Sequence, residues 1–303
     1  MVWRLIQLPL ILGAVFLITF VLVWLIPGSP LDRPEGRRPD AQILEAMERQ
    51  YNLHDPWAFA TDYLKKVLFR FDFGPSLQYR DLTVNRILAD NLPVSAALGV
   101  AALVVSLVLG LAAGISGALR PGSLLDFSSL AVALVGVSLP AFVTGSILLV
   151  VFGGLLRWAP VGGWGGPEHF VLPALTLGVM PAAYIARLTR LGLADVMNSD
   201  FIRTARAKGL SPRRVLFKHA LKVVFLPVLS FLGPAAAAVL TGSFVVEQVF
   251  AIPGLGEHFV NAVLNKDQFL ILGVVLVYSA LLVVFNLTVD IAYAWIDPRI
   301  EVA

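Results

Sequence analysis

Six apolar windows of bilayer-crossing length divide the chain, at about 8–26, 94–119, 129–153, 171–191, 225–246 and 271–295. A helix needs about 20 mostly apolar residues to cross a ~30 Å hydrocarbon core. Within lipid every backbone donor and acceptor must be paired internally, which leaves helices or closed barrels. Barrel strands are ~10 residues long and alternate in polarity, unlike these windows. The pattern therefore predicts an all-α integral membrane protein with six transmembrane helices in a single 1–303 domain. The first window is preceded by Arg4 and followed by Pro27-Gly28-Ser29-Pro30, not by a small-residue cleavage pattern. It reads as an uncleaved anchor.

Between the first two windows, residues 27–93 form a long polar segment with helical spacing in places. Ile43, Leu44 and Met47 share one face, as do Leu64, Val67, Leu68 and Phe71. Val84, Ile87, Leu88 and Asn91 share another, in a run expected to stop before Pro93 and to lie at the membrane surface. Within the windows, Gly110 and Gly114 form a G-x-x-x-G pair that permits close helix approach. Pro140, Pro181 and Pro234 remove backbone donors and predict kinks. Ordinary helix packing and kinked helices lining a pathway both fit these features.

Composition strengthens the membrane reading. Hydrophobic residues make up 58% of the 303 and charged residues 14%, against about 25% charged in soluble domains. With no cysteine, disulfides and thiolate metal sites are excluded. His54, His169, His219 and His258 are too far apart for a ligand motif, so no metal site is expected. There is no G-x-x-x-x-G-K-[ST], G-x-S-x-G or H-E-x-x-H, so no catalytic residue is assigned and an enzyme on this chain is not expected. The glycine-rich Val161–Pro167 stretch follows no strand and reads as an exposed turn with Trp164 at the interface.

Charge placement sets orientation. From Arg187 to Lys222 there are nine basic residues and two acidic ones, Asp195 and Asp200. The 154–170 and 247–270 connections carry one basic residue each, Arg157 and Lys266. The basic connection is therefore expected in the cytoplasm, with both termini. The 27–93 segment, with nine basic and ten acidic residues, is then extracytoplasmic. Charge inside the windows is nearly absent, apart from Asp290 near one end of the sixth and Glu247 at the end of the fifth. Secondary transporters usually keep ionisable groups at mid-membrane. Their absence points to energy supplied from elsewhere, with a stand-alone secondary transporter or channel as the alternative.

The basic connection itself, 192–224, reads as helix, tight turn, helix. Gly209 suits a helix stop, Ser211 an N-cap and Pro212 a first helical position. Thr204, Ala205, Ala207 and Gly209 are small and leave room for another protein's surface. Tethering to the membrane on both sides argues against nucleic-acid binding by this helix pair.

These residues carry a resemblance. "RTARAKG" followed by Leu226-Pro227 resembles the EAA loop of ATP-binding-cassette (ABC) importer permeases, in the form found in the dipeptide, oligopeptide and nickel permease family. Arg203 and Thr204 stand where the general pattern has Glu and Ala, while Ala205 and Gly209 match it. Leu226-Pro227 comes several residues late. The peptide-permease branch shares these departures. "WLIPGSP" (24–30), "FDFGPSLQYRDLTVNRILADNLPVSAAL" (71–98), "VGVSLPAF" (135–142), "FVVEQVFAIPGLG" (244–256) and "NLTVDIAYAWIDPRI" (286–300) are similar to family signatures in the same order. The long 27–93 segment suits the first permease subunit type.

The resemblance implies a permease subunit in a bacterial or archaeal cytoplasmic membrane. It implies a second permease subunit as a heterodimer partner, two ATP-binding-cassette ATPase subunits and an extracytoplasmic substrate-binding protein. ATP and Mg would be used by the partner ATPases, with no cofactor bound by this chain. Arg203, Thr204, Ala205, Arg206, Ala207, Lys208, Gly209, Leu210 and Ser211 would form the ATPase-coupling contact. Ser138, Pro140 and Glu247 are the candidates for the translocation path. Members carry di- and oligopeptides, nickel or sugars, and the sequence does not choose among them.

Overall fold

The computed structural model describes residues 2–27, 31, 41–79, 81–124, 126–127, 131, 136 and 138–296. The helices are α1 (Val2–Leu25), α2 (Ala41–Gln50), α3 (Pro56–Arg70), α4 (Val84–Leu119), α5 (Ala141–Leu155), α6 (Glu168–Val196), α7 (Asp200–Ala207), α8 (Pro212–Val249), α9 (Leu255–Leu264) and α10 (Gln268–Ile296). The described residues form no strand, only an isolated bridge between Pro75 and Thr83. Five helices are long and apolar enough to cross a membrane: α1 from Gln7, α4, α6, α8 and α10. The third predicted window is represented by the shorter α5, π-helical from Leu149 to Leu155. Much of that window's first half (129–130, 132–135 and 137) lies outside the described residues.

Two boundaries differ from expectation. The run before Pro93 does not stop there. It continues through the proline as the first turns of α4, 36 residues in all. A proline interrupts one helical hydrogen bond but need not end a helix whose flanks are held elsewhere. Here Val84, Ile87 and Leu88 are buried, so this face packs on protein rather than on the membrane surface. A β-carbon on Gly273 of α10 would come 2.6 Å from Val84 Cγ1. Likewise α8 runs unbroken from Pro212 through Pro227 and Pro234, with a π-helical stretch at Val215–Ala220.

The chain forms two compact units. The first comprises Met1–Ser95 and Pro253–Val283. Phe16, Phe20 and Trp24 recur every four residues of α1 and so lie on one face. They meet Phe59 and Tyr63 of α3, and the α3 pair also meets Phe269. Asp55 caps α3, accepting from Trp57 N and Ala58 N at 3.0 Å each. Asp267, fully buried, ties the 76–78 turn to the start of α10. It accepts from Ser76 Oγ at 2.5 Å, Leu77 N at 2.9 Å, Gln78 N at 3.2 Å and Leu270 N at 3.2 Å. Burial pushes its pKa up, against those four donors. Ser95 Oγ accepts from Leu255 N at 2.9 Å, holding the start of α9.

The second unit comprises Ala96–Ile252 and Val284–Ala303. Gly110 and Gly114 let α4 close on α6. A β-carbon on Gly110 would sit 2.6 Å from Ile185 Cβ, and one on Gly114 2.6 Å from Ala186 O. The paired glycines thus do what their spacing suggested. Beyond its span, α6 leads into α7, and the turn after α7 returns the chain into α8.

Candidate functional site

The α7–turn–α8 hairpin is built by local rules. Asp200 in the first turn and Arg206 in the last complement the helix dipole. Thr204 Oγ1 donates to Asp200 O at 2.9 Å, and Arg203 lies 3.2 Å from Asp200, both ends being well exposed. Lys208 N and Gly209 N close the helix on Thr204 O (3.1 Å) and Arg206 O (2.9 Å). Gly209 then takes φ +75°, the left-handed conformation that stops the helix. No atom lies within 4 Å of where its β-carbon would be, so backbone conformation, not crowding, calls for glycine there. Ser211 occupies the N-cap position in extended backbone, with Pro212 the first helical residue, but its side chain makes no capping bond.

The hairpin has two sides. Ile202, Ala205, Val215, Leu216 and Ala220 are buried with Leu193 and Val224, and Leu210 packs against them. Arg203, Thr204, Arg206, Ala207, Lys208, Gly209 and Ser211 are exposed, as are Arg213, Arg214 and Lys218. So the expected contact stretch is divided. Ala205 and, in part, Leu210 face inward, and the other seven face out. Phe201 and Phe217 flank the basic surface with 47% and 63% of their area exposed.

One structural ion pair stands next to this hairpin in the chain, and sequence reasoning did not single it out. On α6, Arg190 Nε and Nη2 reach the two carboxylate oxygens of Asp126 at 2.7 and 2.9 Å. Gly122 N donates to the same carboxylate at 3.0 Å. The Arg190 guanidinium, followed by the Gly122 N–H, holds the Asp126 pKa below the ordinary aspartate value. The partners are 64 residues apart, beyond any helical or turn spacing that would have linked them.

The three path candidates fall in different settings. Ser138 and Pro140 are exposed beside the start of α5, while Glu247 is 1% exposed in the last turn of α8. A small cavity of about 60 Å³ lies in the same unit, lined by residues that include Thr144, Thr176, Pro181, Ala238 and Gly242. None of the three candidates lines it. Among the described residues no three His, Cys, Asp or Glu side chains cluster to hold a metal.

Five helices of membrane-crossing length and apolarity, with an exposed basic hairpin between two of them, are the architecture of an integral membrane protein. Residues 106–302 match the family described as "Binding-protein-dependent transport system inner membrane component", and the chain belongs to that family. It is similar to the dipeptide transport system permease protein DppB of Bacillus subtilis (strain 168), 41% identical, over 94% of this chain and 92% of that one. It is also similar to the oligopeptide transport system permease protein OppB of Salmonella typhimurium (strain LT2), 43% identical, over 94% and 93%. The resemblance to peptide-type ABC permeases therefore holds along nearly the whole chain. Among solved structures, the methionine ABC transporter MetNI in an inward-facing conformation aligns with TM-score 0.53 at 18% identity. That alignment covers 70% of this chain and 96% of the other, and it shows the fold alone.

Proposed function

We propose that this chain is the translocating permease subunit of an ATP-driven importer of di- or oligopeptides, moving its solute by alternating access. The reading has six spans, α5 and the stretch before it forming the third, with 27–93 extracytoplasmic and both termini cytoplasmic. A second permease completes the path, two ATPases supply ATP and Mg chemistry, and an external binding protein delivers the solute. The observation that carries the coupling role is the two-sided hairpin. A packed underside fixes it to α6 and α8, and an exposed basic face offers seven of the nine expected contact residues to an ATPase. Peptide as solute is supported by the names of the relatives, DppB and OppB. Ser138, Pro140 and Glu247 stay as path candidates.

The decisive experiment is reconstitution of this chain with its partner subunits and binding protein in proteoliposomes. Labelled di- and oligopeptides, nickel and sugars are offered with and without ATP. ATP-dependent peptide accumulation is expected. Solute flux through this chain alone, insensitive to ATP, would instead support a stand-alone channel or secondary transporter.

A further inference from the structure

The least expected surface is on α3. One face of this helix is fully occupied: Phe59, Ala60 and Tyr63 are buried. The opposite side and the C-terminal end present Trp57, Leu68, Phe69 and Phe71, each between 67% and 82% exposed. Four large apolar side chains this exposed on one short helix, interspersed with Thr61, Lys65 and Arg70, need an occupant.

The packing of the other face says what that occupant is. Tyr63 stacks on Phe16 with ring centroids 5.9 Å apart. Phe59 meets Phe20 at 6.3 Å and Trp24 at 5.3 Å. All three α1 partners lie inside the apolar window Gln7–Leu25. As α3 advances from Phe59 to Tyr63, its partners on α1 go back from Trp24 to Phe16, so the two helices run antiparallel. The contacts span eight residues of α1, or about 12 Å of helix. Only 17% of the α1 window is buried, and Leu17, Ile18, Val21 and Leu22 are exposed beside the aromatic seam. A helix in ring contact with this stretch shares its depth in the bilayer.

We infer that α3 is a membrane-embedded helix whose Trp57, Leu68, Phe69 and Phe71 side is covered by lipid acyl chains, continuous with the lipid-facing side of α1. The charges on α3 suit that position. Asp62 and Lys66 neutralise each other at 2.7 Å. Lys65 and Arg70 are exposed, and their long stems let the charges bend away from apolar surroundings toward water. Tryptophan near one end of such a helix is the usual interfacial anchor. The inference rests on α1 crossing the bilayer and not on the identity of the solute, and it takes α3 out of the otherwise extracytoplasmic 27–93 segment.

The natural chain has no cysteine, so single cysteines can be introduced and spin-labelled in the assembled complex with cysteine-free partners, in lipid nanodiscs. Labels at Leu68→Cys, Phe69→Cys and Phe71→Cys are compared with Ile18→Cys as the lipid reference and Glu45→Cys, at a well-exposed position of α2, as the water reference. Dissolved oxygen, which concentrates in lipid, is expected to relax the three α3 labels more than a water-soluble nickel chelate does, as at Ile18. Stronger relaxation by the chelate would place this face in water and overturn the inference. Labels reached by neither agent would mean that a partner protein covers the face, which overturns it equally. The three positions are independent, so failure of one variant to assemble leaves the other two to decide.

Discussion

At the scale of single residues, Gly209 and Asp126 show how different the reasons for a residue can be. Gly209 is needed for its backbone conformation at φ +75°, with open space where a side chain would go. Gly209→Asn, which tolerates that conformation, should keep near-normal uptake. Gly209→Val should cost the turn about 1–2 kcal/mol and uncouple uptake from ATP hydrolysis. Equal uptake by both variants would show that the turn geometry is irrelevant. Asp126 depends on a distant partner. Its pKa is depressed in the fold, so the stability it contributes is present above the ordinary aspartate pKa and is lost as pH falls through the lower, folded value. Protection of the amides around Asp126, measured as intrinsic over observed exchange rate, should therefore be high at neutral pH and fall in strong acid. Asp126→Asn should show the low protection already at neutral pH. The glycine was legible in the sequence because turns have local signatures. The ion pair was not, because nothing local joins positions 126 and 190.

At the scale of elements, two helix contacts make opposite claims on small residues. Gly110 and Gly114 are small because α4 and α6 touch there. Gly110→Leu would press on Ile185 and the Ala182 carbonyl, a cost of about 1–3 kcal/mol or more. The detergent-solubilised protein should melt earlier, and an unchanged melting temperature would argue against that crossing. Ala205 is small for a related reason, being enclosed by Ile202, Val215 and Leu216. The sequence suggested that its size made room for another protein, but it is the hairpin's own core that fills the space. Ala205→Leu should therefore lower thermal stability. Arg206→Glu, on the exposed face, should leave melting unchanged and weaken co-purification of the ATPases. If the two variants exchange these phenotypes, the assignment of inner and outer faces is wrong. Periodicity located this helix pair, but a run of eight residues cannot say which of its small side chains are enclosed.

At the scale of the whole molecule, orientation is testable because the chain lacks cysteine. In intact cells a membrane-impermeant thiol reagent should label Trp164→Cys but reach Arg206→Cys only after the membrane is opened. The reverse order would invert the charge-based topology. The sequence by itself determined the membrane class, the five long apolar helices that fall on predicted windows, the hairpin with its glycine stop and the family. Each follows from composition, from helical periodicity or from contiguous motifs, all of which are local along the chain. Tertiary structure alone decided that the run before Pro93 continues into α4, since the burial of Val84, Ile87 and Leu88 holds that helix together across the proline. It alone set α3 against the aromatic seam of α1, joined Asp126 to Arg190 and turned Ala205 inward. Those outcomes depend on which surfaces meet across long stretches of chain, and amphipathic spacing states only that a face will be covered, not by what.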